Sequence, residues 1–287
     1  MKYGIIVDSG CDLLSIEPFH EKEILFQRVP LKLYVGEREY VDDVHLKVKK
    51  YMTEMSLFKG KTGSAAPSPQ EWKEAFEQAN EVFAITITGS LSGSNASAQA
   101  GAHMLREEQP DKKVFILDSL TASAEITLLV LRLCKDMDAD MGFEEIVSDI
   151  SEYKKHTKTL FLLESLDNLI RNGRIGKIAG GVAGILEIKL IGCASEEGKL
   201  EILHRSRGKD ASYQKLIKEM KKYGFCGGKV VISHCFHIDR AKYLKSIIVE
   251  DFPESEVMIM ATSGLCSYYA QQGGILIGFE KRIEDSL

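Results

Sequence analysis

Apolar runs and polar breaks alternate regularly through the first half of the chain. Residues 5–8 form a short apolar run that stops at Asp8-Ser9 and predicts an opening β-strand. Residues 29–35 and 40–41, separated by the polar Gly36-Glu37-Arg38-Glu39, predict a hairpin. Ser68-Pro69-Gln70-Glu71 predicts a helix start, with Ser68 as N-cap, Pro69 in the first turn and Glu71 completing a capping box. That helix carries Trp72, Ala75, Phe76 and Ala79. Residues 82–88 and 114–118 predict buried strands, followed by helices to about residue 106 and over 122–137. Strands that are apolar throughout and alternate with helices predict an α/β domain around a parallel sheet covered on both faces.

The second half has a different rhythm. An amphipathic helix is predicted over 143–155, a short apolar run over 160–163, and a helix over 165–172 closed by Gly173. Residues 188–191, 200–204, 229–234 and 257–261 predict strands, separated by helices at 211–223 and 238–250. With 287 residues the chain is long enough for two cores. The change of rhythm places a boundary near residue 157, dividing the chain into domains 1–157 and 158–287.

Composition narrows the class. Hydrophobic residues make up 44% and charged residues 28%, as in soluble globular proteins. A net charge of −5 offers neither a basic footprint for nucleic acid nor attraction to an acidic membrane. No run reaches the roughly 18 apolar residues of a spanning helix, and the apolar part of the N-terminus is too short for a signal peptide. A cytoplasmic protein without membrane insertion is expected. Cys11, Cys134, Cys193, Cys226, Cys235 and Cys266 contain no C-x-x-C pair and predict free thiols. His234 and His237 would diverge on a strand, so no metal is expected there.

Candidate chemistry gathers at the carboxyl ends of the predicted parallel strands, where open sheets bind ligands. Those ends carry Asp8-Ser9, residues 88–94 and Asp118-Ser119. Ser90, Ser92 and Ser94 lie where a helix begins; its free N–H groups and partial positive charge favour a carboxylate or phosphate. Plain helix capping uses the same residue types. Residues 62–67, a run of small residues, either add a hydroxyl to this edge or form a surface loop. The basic turn from Arg171 to Lys177 is not a phosphate loop, because Gly176-Lys177 lacks both a following Ser or Thr and the preceding glycine spacing. Arg174 pairs with an anion or with the end of its helix. Residues 179–184, small and apolar, either line a narrow tunnel or pack helices tightly. None of the seven histidines stands in a catalytic spacing, so no enzyme is predicted.

Six segments in sequence order resemble the DegV family. They are Ile6-Val7-Asp8-Ser9 with Cys11-Asp12-Leu13, Ser64-Ala65-Ala66-Pro67-Ser68-Pro69, the residues from Ile87 to Ser94, Leu117-Asp118-Ser119, Asn172-Gly173-Arg174-Ile175, and the basic Arg205 to Lys209. The resemblance covers nearly the whole chain. It implies an N-terminal parallel-sheet α/β domain, plus a C-terminal α+β domain with a mostly antiparallel sheet that closes over the ligand. It also implies a long-chain fatty acid held in an apolar tunnel between them, presented to a separate ATP-dependent fatty acid kinase subunit that forms the acyl phosphate. The binding subunit itself has no cofactor and no nucleotide site.

Carried onto this chain, the resemblance puts the carboxylate against Ser64 and Ser92, with Arg174 on the rim. Two positions depart from the family pattern. The loop has Ser64-Ala65 where the motif has Thr-Ser, so Thr62 competes for the role. The C-terminal G-x-H-T-G-P-G motif is here Gly264-Leu265-Cys266-Ser267-Tyr268-Tyr269-Ala270, and its histidine falls on Cys266. Cys266, Ser267 or Tyr268 is then the expected substitute as hydrogen-bond partner. This departure bears on phosphoryl transfer more than on binding. It leaves open a lipid-binding sensor or reserve protein, and an enzyme using the serine-rich edge on a small molecule.

Overall fold

The computed structural model describes residues 1–175 and 188–282; the glycine- and alanine-rich 179–184 segment and Gly176-Lys177 lie outside them. The first half comprises β1 (Tyr3–Asp8), β2 (Ile24–Val29), β3 (Lys32–Val35), β4 (Arg38–Val41), α1 (Val48–Leu57), β5 (Thr62–Ala65), α2 (Pro69–Phe76), β6 (Glu81–Thr86), α3 (Ser94–Glu108), β7 (Lys113–Asp118), α4 (Ala124–Asp138) and α5 (Phe143–Lys155).

The main sheet of this half is parallel, in the order β2-β1-β6-β7. Every residue of β1 is buried, which is why its sequence is apolar without alternation. Trp72, Phe76 and Ala98 pack on one face of the sheet, and Leu129, Leu133 and Ile146 on the other. The capping box at Ser68 and Glu71 is formed as its sequence predicts.

Residues 62–65 are not a loop. They form β5, antiparallel to β3, in a small sheet of order β4-β3-β5 that sets Ser64 opposite Leu33. Thr-Gly-Ser-Ala lacks the branched and aromatic residues that mark a strand. The open ladder of β3 supplies the hydrogen bonds instead.

The second half comprises β8 (Thr157–Leu163), α6 (Asp167–Arg171), β9 (Ile188–Ala194), β10 (Leu200–Arg207), α7 (Lys209–Lys222), β11 (Lys229–His234), α8 (Ile238–Asp251), β12 (Glu256–Ala261), α9 (Gly264–Ala270) and β13 (Ile275–Glu280). Its sheet runs β10-β9-β8-β13-β11-β12, and every pair is antiparallel except β11 with β12. Tyr213, Leu216 and Met220 of α7 and Leu244 and Ile248 of α8 pack on it. Gly173, at φ +68, makes the left-handed stop after α6. Helix α4 lies between the halves, touching β1 and β6 on one side and β8, β11 and β13 on the other.

Candidate functional site

Asp8, at the end of β1, is wholly buried. Its Oδ1 accepts the Gly10 N–H at 2.9 Å, and its Oδ2 accepts the Ile87 N–H at 2.9 Å and the Ser94 hydroxyl at 2.6 Å. One carboxylate thus ties the ends of β1 and β6 to the start of α3. Burial pushes its pKa up to about 6, against three hydrogen bonds that favour the charged form.

The serine-rich segment after β6 divides its hydroxyls among three tasks. Ser94 bonds Asp8. Thr88 donates to the Gly198 carbonyl at 3.0 Å and Ser90 to the Glu197 carbonyl at 2.6 Å, clasping the β9–β10 turn. Ser92 accepts the Ser94 N–H at 3.2 Å and lines the cavity described below.

Two more carboxylates of the first half hold α9. Asp42 accepts the N–H groups of Gly264 at 2.8 Å and Leu265 at 2.7 Å, taking the place of an N-cap. Asp12 accepts the Ser263 N–H at 2.7 Å and its hydroxyl at 2.9 Å. Both carboxylates are buried. Thus anchored, α9 turns Cys266 and Tyr269 toward the first half.

Between the halves lies a chamber of about 110 Å³. Its polar lining is Ser64, Ser92, Arg174, Cys266 and the Tyr269 hydroxyl; the rest is apolar, including Leu31, Ile87, Phe161, Leu163, Leu200 and Leu276. Two of the polar groups bond each other and the rest are held by backbone. Ser64 Oγ and the Tyr269 hydroxyl share a hydrogen bond of 2.9 Å. Arg174 Nε donates to the Leu91 carbonyl, beside Ser92, at 3.2 Å, and another guanidinium nitrogen bonds the Asn172 carbonyl. Burial holds the Tyr269 phenol's pKa above the ordinary value, against the Ser64 hydrogen bond and the nearby Arg174 charge, which favour the ionised form.

Four of the six sequence-predicted residues meet here: Ser64, Ser92, Arg174 and Cys266. Thr62 and Ser267 do not. Thr62 Oγ1 is taken up by the Tyr268 hydroxyl at 2.8 Å. Ser267 is rotated about 100° around α9 from Cys266, so its hydroxyl pairs with Thr262 Oγ1 at 2.7 Å on the other side. Tyr268 also faces away, bonding Asn172 Nδ2 at 2.9 Å. The residue missed in the sequence is Tyr269, and its signal was there: three positions after Cys266 on a helix, it shares that residue's face.

Cys266 stands in the lining where the family motif has histidine. Burial, with Asp12 and Asp42 nearby, pushes its thiol pKa well above the ordinary value, and the thiol donates to the Gly10 carbonyl at 3.4 Å. It stays neutral and adds no positive charge to the site.

The fold and chamber define an α/β protein with a largely apolar chamber enclosed between a parallel and a mostly antiparallel sheet. The chain belongs to the DegV family: residues 2–282 match the family described as "Uncharacterised protein, DegV family". A DegV domain-containing protein of Streptococcus pneumoniae is 41% identical over 280 residues, covering 98% of this chain and 99% of its own. Among solved structures, the fatty acid kinase (Fak) B3 protein of Streptococcus pneumoniae loaded with linoleic acid is 41% identical; the match covers 98% of this chain and all of that one, with a TM-score of 0.95. A DegV family protein from Eubacterium eligens loaded with heptadecanoic acid is 32% identical, covers 97% of this chain and 99% of its own, and has a TM-score of 0.92. Among the described residues, no helix is long and apolar enough to cross a membrane.

Proposed function

We propose that this protein binds a long-chain fatty acid in the chamber, with its carboxylate at Ser64, Ser92, Arg174 and Tyr269, and presents that carboxylate to a separate kinase subunit. The observation that carries this reading is the uneven lining: a few hydroxyls, a thiol and one guanidinium, with a Ser64–Tyr269 hydrogen bond among them, on otherwise apolar walls. An acyl chain of about 14 methylenes gains on the order of 11 kcal/mol gross on burial. Association costs offset much of it. The head group must then be satisfied, because an unpaired buried carboxylate is very costly. Of the two protons in the Ser64–Tyr269 pair, one serves the bond between them and the other is left for a ligand oxygen. Charge-assisted bonds of this kind contribute roughly 1.5–3 kcal/mol each.

An ionised carboxylate is itself the nucleophile and needs no general base, so the partner's part is to supply the phosphoryl donor. There a carboxylate oxygen attacks the terminal phosphoryl group of ATP and ADP departs. Mass spectrometry of an organic extract of the denatured protein tests the binding claim. Stoichiometric long-chain fatty acid is expected; its absence from protein prepared in lipid-containing medium counts against it.

The neutral Cys266 favours a second reading, in which the bound lipid is a signal or a reserve and is not phosphorylated. Supplying a fatty acid kinase subunit and ATP separates the two: acyl phosphate formation ends the second reading.

A further inference from the structure

Two aromatic side chains face the chamber among its described residues, Tyr269 and Phe161. Tyr269 is anchored by its hydroxyl to Ser64, whereas Phe161 is held by packing alone. Alternate side chains of a strand share a face, so Leu163, Phe161, Thr159 and Thr157 form one row on β8. The first two line the chamber. The next two are engaged elsewhere: Thr159 accepts the Thr121 hydroxyl at 2.7 Å, and Thr157 donates to Glu125 at 2.7 Å. The apolar lining of this strand therefore stops at Phe161.

The polar end of the chamber lies at the opposite end of the row. The chain leaves β8 at Leu163 toward α6 and Arg174. Helix α9, carrying Cys266 and Tyr269, leads into β13 at Ile275, which pairs with Leu162. Phe161 is thus about 7 Å deeper than Leu163, by the rise of two strand residues.

The depth of the ring is set by a glycine. Phe161 is paired across the ladder with Gly192 of β9. A Cβ at Gly192 would fall 2.3 Å from Phe161 Cζ and 2.2 Å from the Glu201 carbonyl oxygen. A bare backbone at this point gives the ring room to reach over β9 at the chamber wall. Glycine inside a strand is otherwise a liability, and close approach of this kind is one of its recognised uses.

We propose that Phe161, laid across Gly192, is the floor of the acyl chamber and sets the longest chain the protein accepts. The proposal rests on the fatty acid reading above and makes it specific. Delipidated wild type, Phe161→Ala, Phe161→Leu and Phe161→Trp are titrated with hexadecanoic and eicosanoic acids, with thermal melts as a check on folding. A methylene in a hydrophobic pocket is worth about tenfold or more in discrimination. Phe161→Ala should therefore raise the preference for the longer acid by at least about tenfold, Phe161→Leu by a smaller factor, and Phe161→Trp should move it the other way. If Phe161→Ala does not fold, the ratio in Phe161→Leu decides. A wild type that binds both acids, beside folded variants with an unchanged ratio, overturns the proposal alone. A wild type that binds neither acid overturns the fatty acid reading and takes the proposal with it.

Discussion

Ser64 and Tyr269 lie 205 residues apart and share a 2.9 Å hydrogen bond that joins β5 of the first half to α9 of the second. The bond closes the polar end of the chamber and leaves a single proton of the pair for a ligand. Removing either partner frees the other to reorient, so the two effects are not additive. Ser64→Ala and Tyr269→Phe should each weaken hexadecanoate binding by about 0.5–1.5 kcal/mol. The double variant should lose less than the sum. Calorimetric titration of the four proteins measures the coupling; strict additivity would mean that the pair does not act as a unit on the carboxylate.

Arg174 brings the one cationic side chain among the described lining residues. Replacing it with Met keeps much of the stem's bulk and removes the charge. Loss of a charge-assisted bond worth about 1.5–3 kcal/mol predicts hexadecanoate affinity lower by roughly 10- to 150-fold. Hexadecanol, with the same chain and no charge, should bind wild type and variant nearly alike. Equal losses for the acid and the alcohol would assign Arg174 to packing.

Asp42 bonds the first two N–H groups of α9, and its burial holds the carboxyl pKa above the ordinary value. Asp42→Ala strips both partners at once, and each unsatisfied buried donor costs about 1–3 kcal/mol. The melting temperature should fall. Fatty acid affinity should fall with it, because Cys266 and Tyr269 ride on this helix. Unchanged affinity in a destabilised variant would show that α9 keeps its position without Asp42.

Asp8 predicts a pH dependence. Its folded-state pKa of about 6 exceeds the unfolded carboxyl value of about 3.9. Between those values the folded chain holds the extra proton. The contribution of Asp8 to unfolding free energy is therefore greatest below about pH 4, declines as pH rises to about 6, and is level beyond. Asp42, raised in the same direction, adds the same sign. Denaturant titrations across this range should show a shallower pH dependence on this limb in Asp8→Asn than in wild type. An identical dependence would remove Asp8 as its source.

Strands β1, β6 and β7 were legible because strands of a covered parallel sheet are apolar throughout, and α2 because Ser68 and Glu71 write a helix start in local chemistry; β2, an edge strand broken by the polar Gln27 and Arg28, and α1 were not read. The antiparallel arrangement of the second half came from family resemblance; its short runs carry no sign of pairing direction. Elements formed by tertiary pairing left little local trace. Residues 62–65 become a strand through β3, and α9 starts at a glycine capped by Asp42, 222 residues away. The site was half legible for the same reason. Hydroxyls at strand ends marked Ser64 and Ser92, while the direction of each side chain on α9 depends on how that helix docks. Ser267 therefore fell outside the chamber, and Tyr269 was missed.

The most direct test is a crystal structure of the protein purified from lipid-rich culture. Electron density for an unbranched chain is predicted in the chamber, its carboxylate within hydrogen-bonding distance of Ser64 or Tyr269, Ser92 and Arg174, and its methyl end against Phe161. A chamber filled by side chains, with the two halves packed directly on each other and no chain between them, would contradict the account.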